Sequence, residues 1–111
     1  MIDLEITRIC AEAMGLPVQP PDWSHTHYRL MHANGTYTPY RPLYDDAQAM
    51  ALVKRFELCV WRTWDHTWRA MGHWRDASGK LHELDAWSDD LNRAICECIA
   101  KAQLAKKVAK P

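Results

Sequence analysis

Several features are missing from this 111-residue sequence, and each absence narrows what the chain can be. Charge of one sign is not in excess, because fourteen basic and fourteen acidic side chains cancel. No global field therefore draws it to nucleic acid or to an anionic membrane, where several charges must be neutralised. No run reaches the roughly 18 apolar residues that suggest a membrane span. The opening stretch MIDLEITRICAEAMG has neither the basic start nor the apolar stretch of a secretory leader. These absences predict a cytoplasmic protein without a membrane partner.

Signatures of chemistry are missing as well. No C-x2-C, H-E-x-x-H or H-x3-H spacing occurs, so the six histidines predict no metal site. His25 and His27 alternate near the end of a loop, where a two-histidine site is sterically feasible. The simpler reading of them, and of His32, His66, His73 and His82, is solvent-facing strand and loop positions. There is no G-x-S-x-G, no P-loop and no G-x-G-x-x-G. Many of the acids fall at helix starts (Asp3, Asp45, Asp46, Asp89, Asp90) or turns (Asp65, Asp76), where capping and turn chemistry account for them. The expectation is a protein that is not an enzyme and carries no cofactor. Cys10, Cys59, Cys96 and Cys98 are expected as reduced thiols acting as small buried hydrophobes. Cys59, set in the run LCVW, is read as a core thiol. Cys96 and Cys98 lie about 200° apart on a helix, so they share neither a metal nor a disulfide.

With 48% apolar and 25% charged residues, the chain predicts one globular domain over 1–111, in which 101–111 form a basic helix end. Asp3 is positioned to cap a first helix with apolar positions Ile6, Ile9, Cys10 and Ala13, and Gly15 stops it. Residues 16–26, with three prolines, read as a loop. Asn34-Gly35 predicts a hairpin with strands near 27–32 and 36–40. Asp45 and Asp46 open a second helix carrying Ala49, Leu52, Val53 and Phe56 on one stripe. Three extended segments follow, with turns at Asp65-His66 and at 76–79. Ser88 is read as the cap of a last helix bearing Leu91, Ile95, Cys98, Ala102 and Ala105 on one face. Lys101, Lys106, Lys107 and Lys110 suit its C-terminal dipole. The predicted fold is α+β in the order α-ββ-α-βββ-α, an antiparallel sheet packed against helices.

The densest feature is ELCVWRTWDHTWRAMGHW (57–74), which holds four of the six tryptophans. Strand side chains alternate faces, which aligns Leu58, Val60, Arg62 and Trp64 against Cys59, Trp61 and Thr63. It likewise aligns Trp68, Ala70, Gly72 and Trp74 against Arg69, Met71, His73 and Arg75. Tryptophans beside small residues suit packing under helices, so most are expected in the core. Six are hard to bury in so short a chain, and two or more are expected at the surface. An exposed Trp beside Arg has the composition of a binding hot spot.

The stretch TPYRPLYDDAQAMALVKRF (38–56) is similar to the aromatic, proline- and Asp-rich lead into a helix of the small phage and prophage proteins of the "phage ABA sandwich" type. The closing stretch WSDDLNRAICECIAKA (87–102) resembles that family's acid-started C-terminal helix, and a Trp-rich hairpin lies between the two. The basic tail and the His-Trp density depart from the pattern. The resemblance implies a phage accessory protein in the host cytoplasm and carries over no catalytic residues.

The reading of function is a non-catalytic protein that docks on a host defence or regulatory protein. Its anchors would be Trp61, Trp64, Trp68 and Trp74, flanked by Arg62, Arg69, Arg75 and His66. Two alternatives stand beside it. The Trp/Arg surface would stack on a nucleotide or short nucleic acid, or it would join two copies in a homodimer.

Overall fold

The computed structural model describes residues 1–108, so Lys110 of the predicted basic tail lies outside the described residues. The elements run α1 (Asp3–Met14), β1 (Val18–Gln19), β2 (Tyr28–Met31), β3 (Tyr37–Tyr40), α2 (Asp46–Phe56), β4 (Cys59–Arg62), β5 (Trp68–Arg75), β6 (Leu81–Ser88) and α3 (Leu91–Val108). The α+β class and most of the predicted order hold. Two corrections apply. The proline-rich segment expected as a loop contributes β1, which pairs Val18 with Leu30 and Gln19 with Arg29. The strands also form two separate antiparallel sheets, β1-β2-β3 and β4-β5-β6.

α3 is the central element, packing against α1, α2, β5 and β6. Its segment 94–100 buries Ala94, Ile95, Cys96, Cys98, Ile99 and Ala100. A helix covered on several sides needs apolar residues all round, and small ones let its neighbours approach closely. Cys96 and Cys98 point opposite ways, as the helical repeat requires. The Cys10 thiol of α1 donates to the Cys96 carbonyl at 3.6 Å, and the Cys98 thiol donates to Leu84 O of β6 at 3.6 Å. Burial pushes the Cys98 thiol up to about 11, so it stays protonated and inert at neutral pH.

On the helix-facing side of the second sheet, Ala70, Gly72 and Ala86 are buried. A Cβ at Gly72 would stand 2.9 Å from Leu58 Cδ2 and 3.8 Å from Cys98 Sγ, so any side chain here must displace that of Leu58.

The helix ends explain two further corrections. Ile2, with no side-chain bond, occupies the cap position of α1, and Asp3 is already helical. The Asp3 carboxylate instead accepts from Arg93 of α3 at 2.7 Å and from Tyr44 at 3.2 Å. The Arg93 hydrogen bond holds its carboxyl below the usual range. At α3, Asp90 rather than Ser88 receives the Arg93 N–H, at 2.9 Å, and Ser88 Oγ receives the Asp90 N–H at 3.1 Å. Asp45 caps α2 as expected, accepting the Gln48 N–H at 3.0 Å. Gly15 closes α1 in the left-handed conformation.

Candidate functional site: an uncovered tryptophan–arginine face

α3 covers one face of the second sheet and leaves the other open. Alternation assigns Leu58, Val60, Arg62, Trp68, Ala70, Gly72 and Trp74 to the covered side. On β6 the register places His82, Leu84 and Ala86 beside them. The open side carries Cys59, Trp61, Arg69, Met71, His73, Arg75, Leu81, Glu83, Asp85 and Trp87. Cys59 is therefore exposed, and the expected core thiol is corrected. The run LCVW is half-buried, and a strand covered on one side hides only alternate residues.

Across the open side one row joins all three strands. Trp61 of β4 lies opposite Arg69 of β5, which lies opposite Trp87 of β6. Trp61 is 37% exposed and Trp87 is 56% exposed. The Arg69 guanidinium stands 5.1 Å from the Trp87 ring centre, within cation–π range. Its Nε also lies 3.2 Å from Asp85 Oδ2, although that N–H is not aimed at the carboxylate. Lys101 reaches the same indole from α3, with Nζ at 5.9 Å. Trp87 thus lies between two cations while half its surface faces solvent.

The β4–β5 turn closes one end of the row. Thr63 N–H donates to Thr67 O at 2.8 Å, and His66 N–H donates to Thr63 O at 3.1 Å. His66 adopts φ 68°, the left-handed position such a turn requires. Asp65 accepts hydrogen bonds from the Thr63 and Thr67 hydroxyls, which hold its carboxyl below the usual range. Held by this network, Trp64 projects at the turn tip and is 93% exposed. Together Trp61, Trp64, Trp87, Arg62, Arg69, Thr63, Asp65 and Thr67 line an open cleft of about 590 Å³.

The eight residues predicted from the sequence do not share one surface. Trp61 and Arg69 belong to the row, Arg62 and Trp64 border the cleft, and His66 sits in its turn. Trp68 and Trp74 lie half-buried on the helix side. There Arg62 covers Trp68 at 5.5 Å, and Lys106 covers Trp74 at 5.4 Å. Trp74 also stacks on His82 at 5.2 Å, and His82 bonds Asp76 at 2.8 Å. Arg75 is turned to the far hairpin, donating to Gly79 O at 2.9 Å. Trp87 was not among the predicted anchors, although the alternation of LHELDAWS aligns it with Leu81, Glu83 and Asp85. Trp23, 98% exposed in the loop before β2, is a separate aromatic point.

Among the described residues no group of three or more His, Cys, Asp or Glu is arranged to hold a metal. His25 Nδ1 is engaged by Asp22 at 3.0 Å, and His27 Nδ1 by Thr26 at 3.0 Å. Among those residues, too, no helix is long and apolar enough to cross a membrane. No protein-family model matches the sequence, and no curated protein matches it either.

Proposed function

We propose that this protein is a non-catalytic binding module that docks on a partner protein through the open face of its second sheet. The observation that carries the reading is the row Trp61–Arg69–Trp87, flanked by the projecting Trp64. Large aromatic surfaces left in water beside arginine are costly unless a partner covers them, and this composition dominates interface energetics. The two acids beside the row are engaged, Asp65 by turn hydroxyls and Asp85 by Arg69, which favours binding over acid–base chemistry there. The resemblance of 38–56 and 87–102 to small phage proteins supports a host protein in the cytoplasm as that partner. In the test, wild type and a Trp61→Ala/Trp87→Ala double variant capture proteins from host lysate. Loss of a specific partner in the variant, with an unchanged fold, supports the reading, whereas equal capture by both removes it.

A second reading follows from the cleft itself. Three indoles and two guanidinium groups around about 590 Å³ suit a planar anionic ligand such as a nucleotide or short oligonucleotide. It predicts quenching of Trp fluorescence by cyclic dinucleotides or oligonucleotides, weakened by salt. A flat titration at low salt eliminates it.

A further inference from the structure

We propose that the free edge of β6 receives an extended basic segment of the partner as a fourth strand of the second sheet. The proposal rests on the docking reading and names the chemistry of the partner at that face.

The phase of the ladder identifies which backbone groups are free. Asp76 N–H donates to Lys80 O at 3.0 Å, and antiparallel pairs alternate between exchanging and not exchanging bonds. The pairs Trp74–His82, Gly72–Leu84, Ala70–Ala86 and Trp68–Ser88 are then the exchanging ones. The other side of β5 agrees. The Thr63–Thr67 bond makes Trp61–Arg69 and Cys59–Met71 the exchanging pairs, so Arg69 and Met71 direct their backbone groups toward β4. The N–H and C=O groups of Leu81, Glu83, Asp85 and Trp87 therefore point out of the sheet, where no strand among the described residues pairs with them. They form an edge of about 20 Å, from the strand rise per residue.

Long edges are ordinarily blocked by proline, lysine or a bulge. LHELDAWS has no proline and no lysine, and its ladder with β5 is regular over all eight residues. Its guard is a pair of acids, Glu83 and Asp85, on the same face. Two copies of β6 pairing antiparallel must set same-face residues opposite one another. Centred on Leu84, Glu83 of one copy meets Asp85 of the other, and centred on Asp85, that residue meets itself. Like charges directly opposite are unfavourable, so the edge discourages a second copy.

The same acids favour a strand of opposite pattern. Glu83 has no ion-pair partner among the described residues, and Asp85 has only Arg69. Leu81, 45% exposed, and Trp87 flank them and call for apolar neighbours. The complementary segment is apolar-x-basic-x-basic-x-apolar, which reads the same in both directions. Its last apolar residue lies beside Trp87, where the edge meets the Trp61–Arg69–Trp87 row.

The probe is the capped peptide Val-Thr-Lys-Thr-Lys-Thr-Val, titrated into the isotopically labelled full chain. Its binding should slow hydrogen exchange at the amides of Leu81, Glu83, Asp85 and Trp87. A peptide with Glu in place of both Lys should bind about tenfold more weakly, as two attractive cross-strand pairs become repulsive. Glu83→Lys should narrow that preference. Glu83→Pro should abolish binding while keeping the fold, because the lost N–H points outward. Equal binding of both peptides, undiminished binding to Glu83→Pro, or dimerisation through β6 would overturn the proposal. Capture of the host partner separates the two readings. Sensitivity to Trp61→Ala but not to Glu83→Pro retains the face and rejects the edge. Sensitivity to Glu83→Pro alone retains the edge and rejects the tryptophan row, and insensitivity to both rejects both.

Discussion

The two faces of the second sheet are built from alternate residues of the same three strands, yet they follow opposite rules. Toward α3 the strands present Ala70, Gly72 and Ala86, all buried, so that backbone and helix come close. Toward solvent they present Trp61, Arg69 and Trp87, which exceed what an isolated sheet needs. On the covered side small residues lie at the centre, where packing decides stability, with Trp68 and Trp74 half-buried beside them. On the open side Trp61 and Trp87 keep much of their surface in water. The contrast separates the part of the sheet that holds the fold from the part available for binding.

The strongest way to break that contrast is to damage the covered side. Ile95→Ala should cost about 2–5 kcal/mol in chemical denaturation, since Ile95 is fully buried in the central helix. Trp87→Ala on the open side, which removes a half-exposed ring and its Arg69 and Lys101 contacts, should cost only about 1 kcal/mol. It should nevertheless weaken partner capture about thirtyfold, the effect of a hot-spot residue. Gly72→Val should cost about 1–3 kcal/mol, because its branched side chain meets Leu58 and Cys98. A Gly72→Val variant as stable as wild type would mean that the covered side is looser than its contacts indicate.

Smaller effects distinguish the two hairpin turns at opposite ends of the sheet. His66→Gly should stabilise the chain by about 0.5 kcal/mol, since glycine adopts its positive φ without steric cost. The other turn already has Gly79 there, at φ 86°. Each turn also has a carboxylate held below its usual range, Asp65 chiefly by the Thr63 hydroxyl and Asp76 chiefly by the Ser78 hydroxyl, then by His82. A lowered folded pKa contributes stability above the unfolded value of 3.8 and loses it as pH falls through the folded value. Asp76 is lowered more strongly, so on acidification below about 4 the 63–67 turn should lose its carboxylate bonds first. Amide shifts of Thr67 and Lys80, followed by NMR against pH, should move in that order.

Much of this was legible in the residues. Gly15, Asn34-Gly35 and Asp45 marked ends and turns, because capping and positive φ are local requirements. Strand alternation already separated Arg69 from Trp68 and Trp74, and Trp61 from Arg62 and Trp64. Only the register of β4 on β5 puts Trp61 on the Arg69 side. Other features were hidden because they depend on distant partners. Val18–Gln19 becomes a strand only because Leu30 and Arg29 lie beside it. Asp3 serves Arg93, ninety residues away, rather than its own helix end. Cys59 looked buried in an apolar run, but its neighbours supply the core and it faces outward.

By itself the sequence determined the element types, their order to within one short strand, and the partition of each strand into two sides, since these follow from backbone geometry and a period of two. The tertiary structure alone decided which side α3 covers and which tryptophans remain in water. It also decided that Trp87 completes a row with Trp61 and Arg69. Those outcomes depend on where a helix docks and on strand register, which pair residues far apart in the chain.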